Sequence, residues 1–257
     1  MLGAIAGDMI GSRFEWNNYK GKDFELFNEA SCFTDDTVLT VAQADSLLNK
    51  VPFAHKLKEY YRSYPDAGYG GSFHQWALSG SEAPYGSWGN GSAMRVSPVG
   101  WFFEDLETVL AEARNSAAVT HNHPEGIRGA QAVAAAIFLA RKGDSKTAIR
   151  RFIHSRLGYR LDFTLEQIRP DYRFDVSCQG SVPQALQAFF ESVDFIDALR
   201  SAVSIGGDSD TIACITGGVA EAFYGGVPAA VAEEVWPRLD SLLTRVTRRF
   251  RERVEAQ

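Results

Sequence analysis

An all-α fold is predicted for this 257-residue chain by three features. Two stretches that begin with paired aspartates and a threonine each open an apolar run at helical spacing; residues 106–118 and 126–140 carry alanine-rich helical faces; and the last segment is strongly amphipathic. Hydrophobic residues make up 45 % and charged residues 23 % of the chain, which is long enough to bury a core. One domain over residues 1–257 is therefore expected.

Residues 2–11 are small and apolar, the composition of a buried helix packed closely against neighbours. Glu15 follows just beyond it, placed either in a solvated loop or on a pocket wall. Thr34-Asp35-Asp36-Thr37 then opens a periodic stretch through Val38, Val41, Ala42 and Leu48. A helix over Ala54 to Tyr64 stops at Pro65, and residues 66–72 form a glycine-rich loop. A second such loop spans Gly86 to Arg95. Neither has the spacing of a P-loop, but glycine loops expose backbone N–H groups to phosphate oxygens, and Tyr69 and Trp88 offer faces for a base or ribose. Ordinary turn structure is the simpler account of each loop taken alone.

Between the helices at 106–118 and 126–140 lies Thr120-His121-Asn122-His123-Pro124. A His-x-His zinc pair generally follows a strand, so zinc is not expected; His121 is read as a hydrogen-bonding pocket residue or a helix cap. His55, His74 and His154 have no constellation around them. Residues 155–182 are aromatic and charged with weak periodicity, as in a long covering loop. Gly180-Ser181-Val182-Pro183 then introduces a helix through Leu186, Phe189 and Phe190, with proline near its first turn. The terminal segment places Leu239, Leu242, Leu243, Val246, Phe250 and Val254 on one face and most of five arginines elsewhere, a docked helix with a solvated basic face.

Net charge is −6, which gives no general reason to bind nucleic acid or acidic lipid. Cys32, Cys178 and Cys214 lack metal-ligand spacing and read as reduced, mostly buried thiols. The first ten residues carry Asp8 and lack a basic leader, and the longest apolar run, Ala132 to Ala140, is too short for a membrane span. A cytoplasmic monomer is expected.

The most informative stretch is Ser204-Ile205-Gly206-Gly207-Asp208-Ser209-Asp210-Thr211, which opens a helix through Ile212, Ile215, Val219, Ala222 and Phe223. Alone, an acidic helix start reads as a cap. Paired with Thr34–Thr37, it implies one shared site of four carboxylates and up to four hydroxyls, a set of oxygen donors suited to Mg²⁺, Ca²⁺ or Mn²⁺.

The ordered combination resembles the ADP-ribosylglycohydrolase family over nearly the whole chain. The matching pieces are Gly3-Ala4-Ile5-Ala6-Gly7-Asp8 leading to Glu15, Thr34–Thr37, Gly68-Tyr69-Gly70, Gly89-Asn90-Gly91-Ser92-Ala93-Met94-Arg95, Thr120-His121, Ser181-Val182-Pro183, and Ser204–Thr211. The resemblance implies a compact orthogonal multi-helix domain with a central dinuclear cleft. It implies two divalent ions, Mg²⁺ or Mn²⁺, held by Thr34, Asp35, Asp36, Asp208, Asp210 and Thr211. Glu15, Asp35 and Asp36 are the implied proton carriers. Gly70, Gly71, Ser87, Trp88, Gly89, Asn90, Met94, His121, Gly206 and Gly207 are the implied contacts to ADP-ribose, with Trp88 standing where some relatives have tyrosine. The implied reaction is hydrolysis of the bond between ADP-ribose and an acceptor, a modified protein side chain or a small molecule. The family fold also occurs as a non-catalytic lens crystallin, so a binding or structural role is the alternative.

Overall fold

The computed structural model describes residues 1 to 256 and is built from helices, with a single isolated antiparallel bridge between Gly89 and Ser177 among the described residues. In chain order the helices are α1 (Leu2–Gly11), α2 (Asp35–Asn49), α3 (Phe53–Ser63), α4 (Gly71–Leu78), α5 (Gly91–Met94), α6 (Ser97–Phe102), α7 (Leu106–Ala118) and α8 (Pro124–Arg141). They continue with α9 (Lys146–Leu157), α10 (Leu165–Ile168), α11 (Cys178–Glu191), α12 (Phe195–Val203), α13 (Ser209–Phe223), α14 (Ala229–Val235) and α15 (Ser241–Glu255). Short 3₁₀ turns follow α1 and α14.

Local chemistry starts many of these helices. The side chains of Thr34, Asp105, His123, Ser145, Ser177, Asp194 and Asp240 each accept a backbone N–H of the turn they precede. Thr164 and Gln167 form a reciprocal capping box at α10. Lys50 and Gly158 end α2 and α9 in the left-handed conformation.

The centre of the core is the contact between α1 and α13. Gly3, Gly7 and Gly11 recur every four residues and so lie on one face. A Cβ on them would sit 2.3 Å from the Gly217 carbonyl oxygen, 2.0 Å from that of Ala213 and 2.4 Å from that of Ser209, respectively. The two backbones therefore touch directly. This contact brings Asp8 of α1 close to Asp210 of α13, with Ile212, Ile215 and Val219 buried in the surrounding core. α15 covers α2 with Leu243, Val246 and Phe250, while its Arg248 and Arg251 lie over the Trp236 ring.

Two sequence expectations change. The segment 155–182 is not one loop: α9 runs into it, α10 lies inside it, and α11 starts at Cys178 under the Ser177 cap. Pro183 consequently lies inside α11 rather than in its first turn, since the helix begins before the glycine taken as its start. Cys178 and Cys214 are buried and Cys32 is exposed, all as free thiols. No described helix is long and apolar enough to cross a membrane.

Candidate active site

The start of α2 is held by a residue of α1. Asp8 is fully buried, and its carboxylate accepts four hydrogen bonds: from Thr34 N at 2.9 Å, Thr34 Oγ1 at 2.8 Å, Thr37 N at 3.1 Å and Thr37 Oγ1 at 2.5 Å. Thr34 also caps α2 by accepting from Asp36 N at 3.3 Å. With Asp35 N donating to Ala67 O at 2.7 Å, the orphan N–H groups are satisfied by Asp8, Thr34 and Ala67, which frees the Asp35 and Asp36 side chains for the cavity. At the second start, Asp208 occupies the cap position of α13 but makes no cap bond. Its Oδ2 instead accepts from Asn90 Nδ2 at 2.6 Å, and Asn90 Nδ2 also donates to Ser181 Oγ at 3.0 Å.

The two starts converge. Thr211 Oγ1 donates to Asp36 Oδ2 across 3.2 Å, and Glu15, Asp208 and Asp210 each offer an oxygen within 4.8 Å of the others. The buried Oδ1 atoms of Asp36 and Asp210 have no hydrogen-bond partner, and no described ion pair involves Asp35, Asp36, Asp208 or Asp210. Burial first, and then mutual repulsion, raises Asp35, Asp36 and Asp210 well above the usual carboxylate range. Burial also raises Asp8 and Asp208, against their hydrogen bonds. Glu15 is half-buried and pushed up to about 7 by burial, then by Asp208 and Asp8; the Trp16 indole N–H opposes the rise. An all-oxygen set with orphaned buried acceptors and no neutralising ion pair fits hard divalent cations.

These groups line a cavity of about 490 Å³. Of the residues inferred from sequence, Glu15, Thr34, Asp35, Asp36, Gly70, Gly71, Ser87, Gly89, Asn90, Met94, His121, Asp208, Asp210 and Thr211 line it. Gly70 has no side chain with which to cap α4, so the first N–H groups of that helix, whose start at residues 70–73 lines the cavity, have no side-chain cap, and a Cβ on Gly70 or Gly71 would meet nothing within 4 Å. The loop before Gly91 differs. Its Ser87, Gly89 and Asn90 N–H groups already bond to Thr120 O, Ser87 Oγ and Val176 O, so they do not form a free anion cradle. Trp88 is 55 % exposed against His123 and does not line the cavity. Gly206 and Gly207 are buried with φ of 68° and 76°, packed against Asn18 and Tyr172 instead of the cavity.

Arg95, His121 and Tyr85 line the same cavity. Arg95 is fully buried and donates through Nη2 to Thr120 Oγ1 at 2.7 Å, while its Nη1 has no partner. Burial lowers its pKa to about 10. His121 shares a 2.7 Å hydrogen bond through Nδ1 with Thr120 and is kept neutral by burial and then by Arg95. Its Nε2 faces Gly91, where a Cβ would stand 3.1 Å away. Sequence reasoning assigned no site role to Asp8, Trp16, Tyr85, Arg95 or Phe174. A lone carboxylate inside an apolar helix and a lone arginine between Met94 and Val96 were the available signals for two of them.

The chain is similar along most of its length to characterised proteins. The ADP-ribosylhydrolase ARH3 of Bos taurus is 26 % identical, over 88 % of this chain and 84 % of that protein. The ADP-ribosylarginine hydrolase Tri1 of Pseudomonas putida is 26 % identical, over 91 % of this chain and 72 % of its own length. A solved ADP-ribosylglycohydrolase-related protein complex shares the fold, with a TM-score of 0.69 at 23 % identity over 98 % of this chain and 95 % of that one. The sequence profile described as ADP-ribosylglycohydrolase matches residues 1–256, the span that carries both acidic helix starts and the Asp8 clamp between them: the chain belongs to the ADP-ribosylglycohydrolase family.

Proposed function

We propose that this cleft hydrolyses the glycosidic bond joining ADP-ribose to an acceptor, a modified protein side chain or a small molecule, and releases ADP-ribose. The observation that carries the reading is the convergence of two acidic helix starts on one cavity, with buried carboxylate oxygens left unpartnered beneath a half-buried glutamate. The similarity to ARH3 and Tri1 supports the same substrate class.

Thr34, Asp35, Asp36, Asp208, Asp210 and Thr211 would hold two divalent ions, Mg²⁺ or Mn²⁺. Bound there, they supply Lewis acidity toward water and the ribose hydroxyls and offset the carboxylate charge. The chain's own groups do the rest. The open N-terminus of α4 at Gly70 and Gly71 takes the pyrophosphate, with Arg95 adding positive charge from the cavity wall. His121 Nε2 and Asn90 line the nucleotide side, and Asn90 also fixes the Asp208 carboxylate.

Cleavage builds positive character on the ribose, beside Glu15 in the cavity wall. Glu15, half-buried in the cavity wall beside Asp208 and Asp210, takes the proton of the attacking water or passes one to the departing group; Asp35 and Asp36 are the other carboxylates placed to move it. We place the enzyme in the cytoplasm, a reading supported by three unpaired cysteines, and take it to act as a monomer.

The test is release of free ADP-ribose from arginine-linked and serine-linked peptides in Mg²⁺ or Mn²⁺ and in EDTA. Metal-dependent release from at least one peptide is expected. A protein that binds ADP-ribose but releases it from neither peptide would have a binding role or a different acceptor, and one that does not bind it would be structural.

A further inference from the structure

The rim of the cleft beside Glu15 carries an aromatic surface with no task in the reaction as described. Trp16 is 81 % exposed and Phe174 43 % exposed, and their rings stack with centroids 5.0 Å apart and planes 20° apart. Val176, 54 % exposed, continues the patch, and all three residues line the cavity that holds the carboxylates. An uncovered indole at a cleft mouth marks a contact surface, because burying it against a ligand is favourable and leaving it in water is not.

The stack is braced. Lys20 Nζ donates to the carbonyls of Tyr172 and Ile205, tying the segment that carries Trp16 to the one that carries Phe174. Asn18 Oδ1 accepts from Gly207 N at 3.2 Å, and Tyr172 OH donates to Gly180 O at 2.7 Å. Gly206 and Gly207 admit this arrangement: a Cβ on the first would lie 2.4 Å from Asn18 Oδ1 and on the second 2.6 Å from the Tyr172 ring. Both rim segments are thereby seated on the turn that leads into α13.

The chemistry of this corner is a flat π-face beside a carboxylate. Glu15 and Trp16 are neighbours in the chain and both line the cavity, which places the ring next to an acid in the cavity wall. Asp171 and Asp175 flank the exposed Arg173 and Phe174, with Asp175 Oδ1 accepting from Ser177 N at 2.8 Å, and the ammonium of Lys20 is engaged with carbonyls, so Glu15 is the carboxylate beside the stack in the cavity wall. A guanidinium matches both parts, since it lies flat on an aromatic face and directs its N–H edge at a carboxylate. A serine oxygen uses neither.

We propose that the Trp16–Phe174 stack is the acceptor platform of the cleft and selects the flat, cationic guanidinium of an arginine joined through nitrogen to ADP-ribose, an inference that rests on the hydrolase reading above. In that reaction the oxygen of water bonds to the anomeric carbon, the carbon–nitrogen electron pair returns to the guanidine nitrogen, and a proton from water completes the guanidinium.

The experiment compares the wild-type chain, Trp16→Ala, Phe174→Ala and Trp16→Phe for kcat/KM on arginine-linked and serine-linked ADP-ribosyl peptides, with ADP-ribose affinity measured by calorimetry. The wild type should favour the arginine linkage. Trp16→Ala should lower the arginine-to-serine ratio about tenfold with ADP-ribose affinity held within about twofold, and Trp16→Phe should restore most of the ratio. Preference for the serine peptide, or a parallel loss of ADP-ribose affinity in Trp16→Ala, overturns the platform. Calorimetry of the arginine-linked peptide in EDTA separates this proposal from the hydrolase reading. Tighter binding than free ADP-ribose, lost in Trp16→Ala, keeps the platform even if nothing is cleaved; equal binding in both proteins removes it.

Discussion

The two acidic helix starts carry nearly the same residues but meet their backbone obligations differently. At α2, Thr34 caps in the ordinary way and Asp8 reaches across from α1 to take Thr34 N and Thr37 N. At α13, Asp208 stands in the cap position but turns its carboxylate to Asn90. An acidic residue at a helix start is therefore free for chemistry when some other group has satisfied the orphan N–H donors, or when a third side chain draws it away.

The largest effect separates carboxylates that act from those that hold. Asp36→Ala and Asp208→Ala should each lower ADP-ribose release on the order of a thousandfold and abolish high-affinity metal binding, with the far-UV spectrum and a cooperative melt retained. Loss of the helical fold in both, with metal present, would mean that these residues serve as caps and would break the comparison.

A smaller effect, on stability, should appear at the clamp. Asp8→Asn keeps the shape of the side chain but removes the charge that strengthens the bonds from Thr34 N, Thr37 N and Thr37 Oγ1 and puts an NH₂ where Thr34 Oγ1 now donates, and should cost about 2 kcal/mol in denaturant unfolding. Thr34→Ala should cost about 1 kcal/mol through loss of the cap. An Asp8→Asn variant as stable as the wild type would show that α2 does not depend on α1 for its start.

The pH dependence should be the mildest of the three and have a defined sign. Glu15 is raised from 4.5 to about 7, and Asp35, Asp36 and Asp210 are raised as well. A raised carboxylate contributes stability that is present below its unfolded value and lost as pH rises through its folded value. In EDTA the melting temperature should thus fall by a few degrees between about pH 4.5 and 7, and Mn²⁺ should reverse the fall by binding the ionised cluster. Melting in EDTA that rises steadily across this window would contradict the electrostatics described for the cleft.

Much of this was legible because it is local. Helical periodicity placed the helices at 106–118, 126–140 and the C-terminus, and the small-residue composition of 2–11 announced close packing, which the stripe of Gly3, Gly7 and Gly11 against α13 explains. The early start of α11 was obscured because Gly180 and Pro183 look like a beginning, whereas the Ser177 cap lies upstream in a stretch without clear period. The open α4 start and the engaged 87–90 loop have similar glycine content, and only their hydrogen-bond partners tell them apart.

By itself, the sequence determined the helical class, the family, and the two acidic segments that would need neutralising if they met. Those properties follow from spacing, composition and ordered motifs, all of which are read along the chain. Tertiary structure alone decided that Asp8 clamps α2, that Gly206 and Gly207 support the rim instead of lining the cavity, and that Trp16 stacks on Phe174 beside Glu15. Each joins residues far apart in sequence, and its energy comes from burial and pairing that exist only after α1 and α13 have brought their backbones into contact.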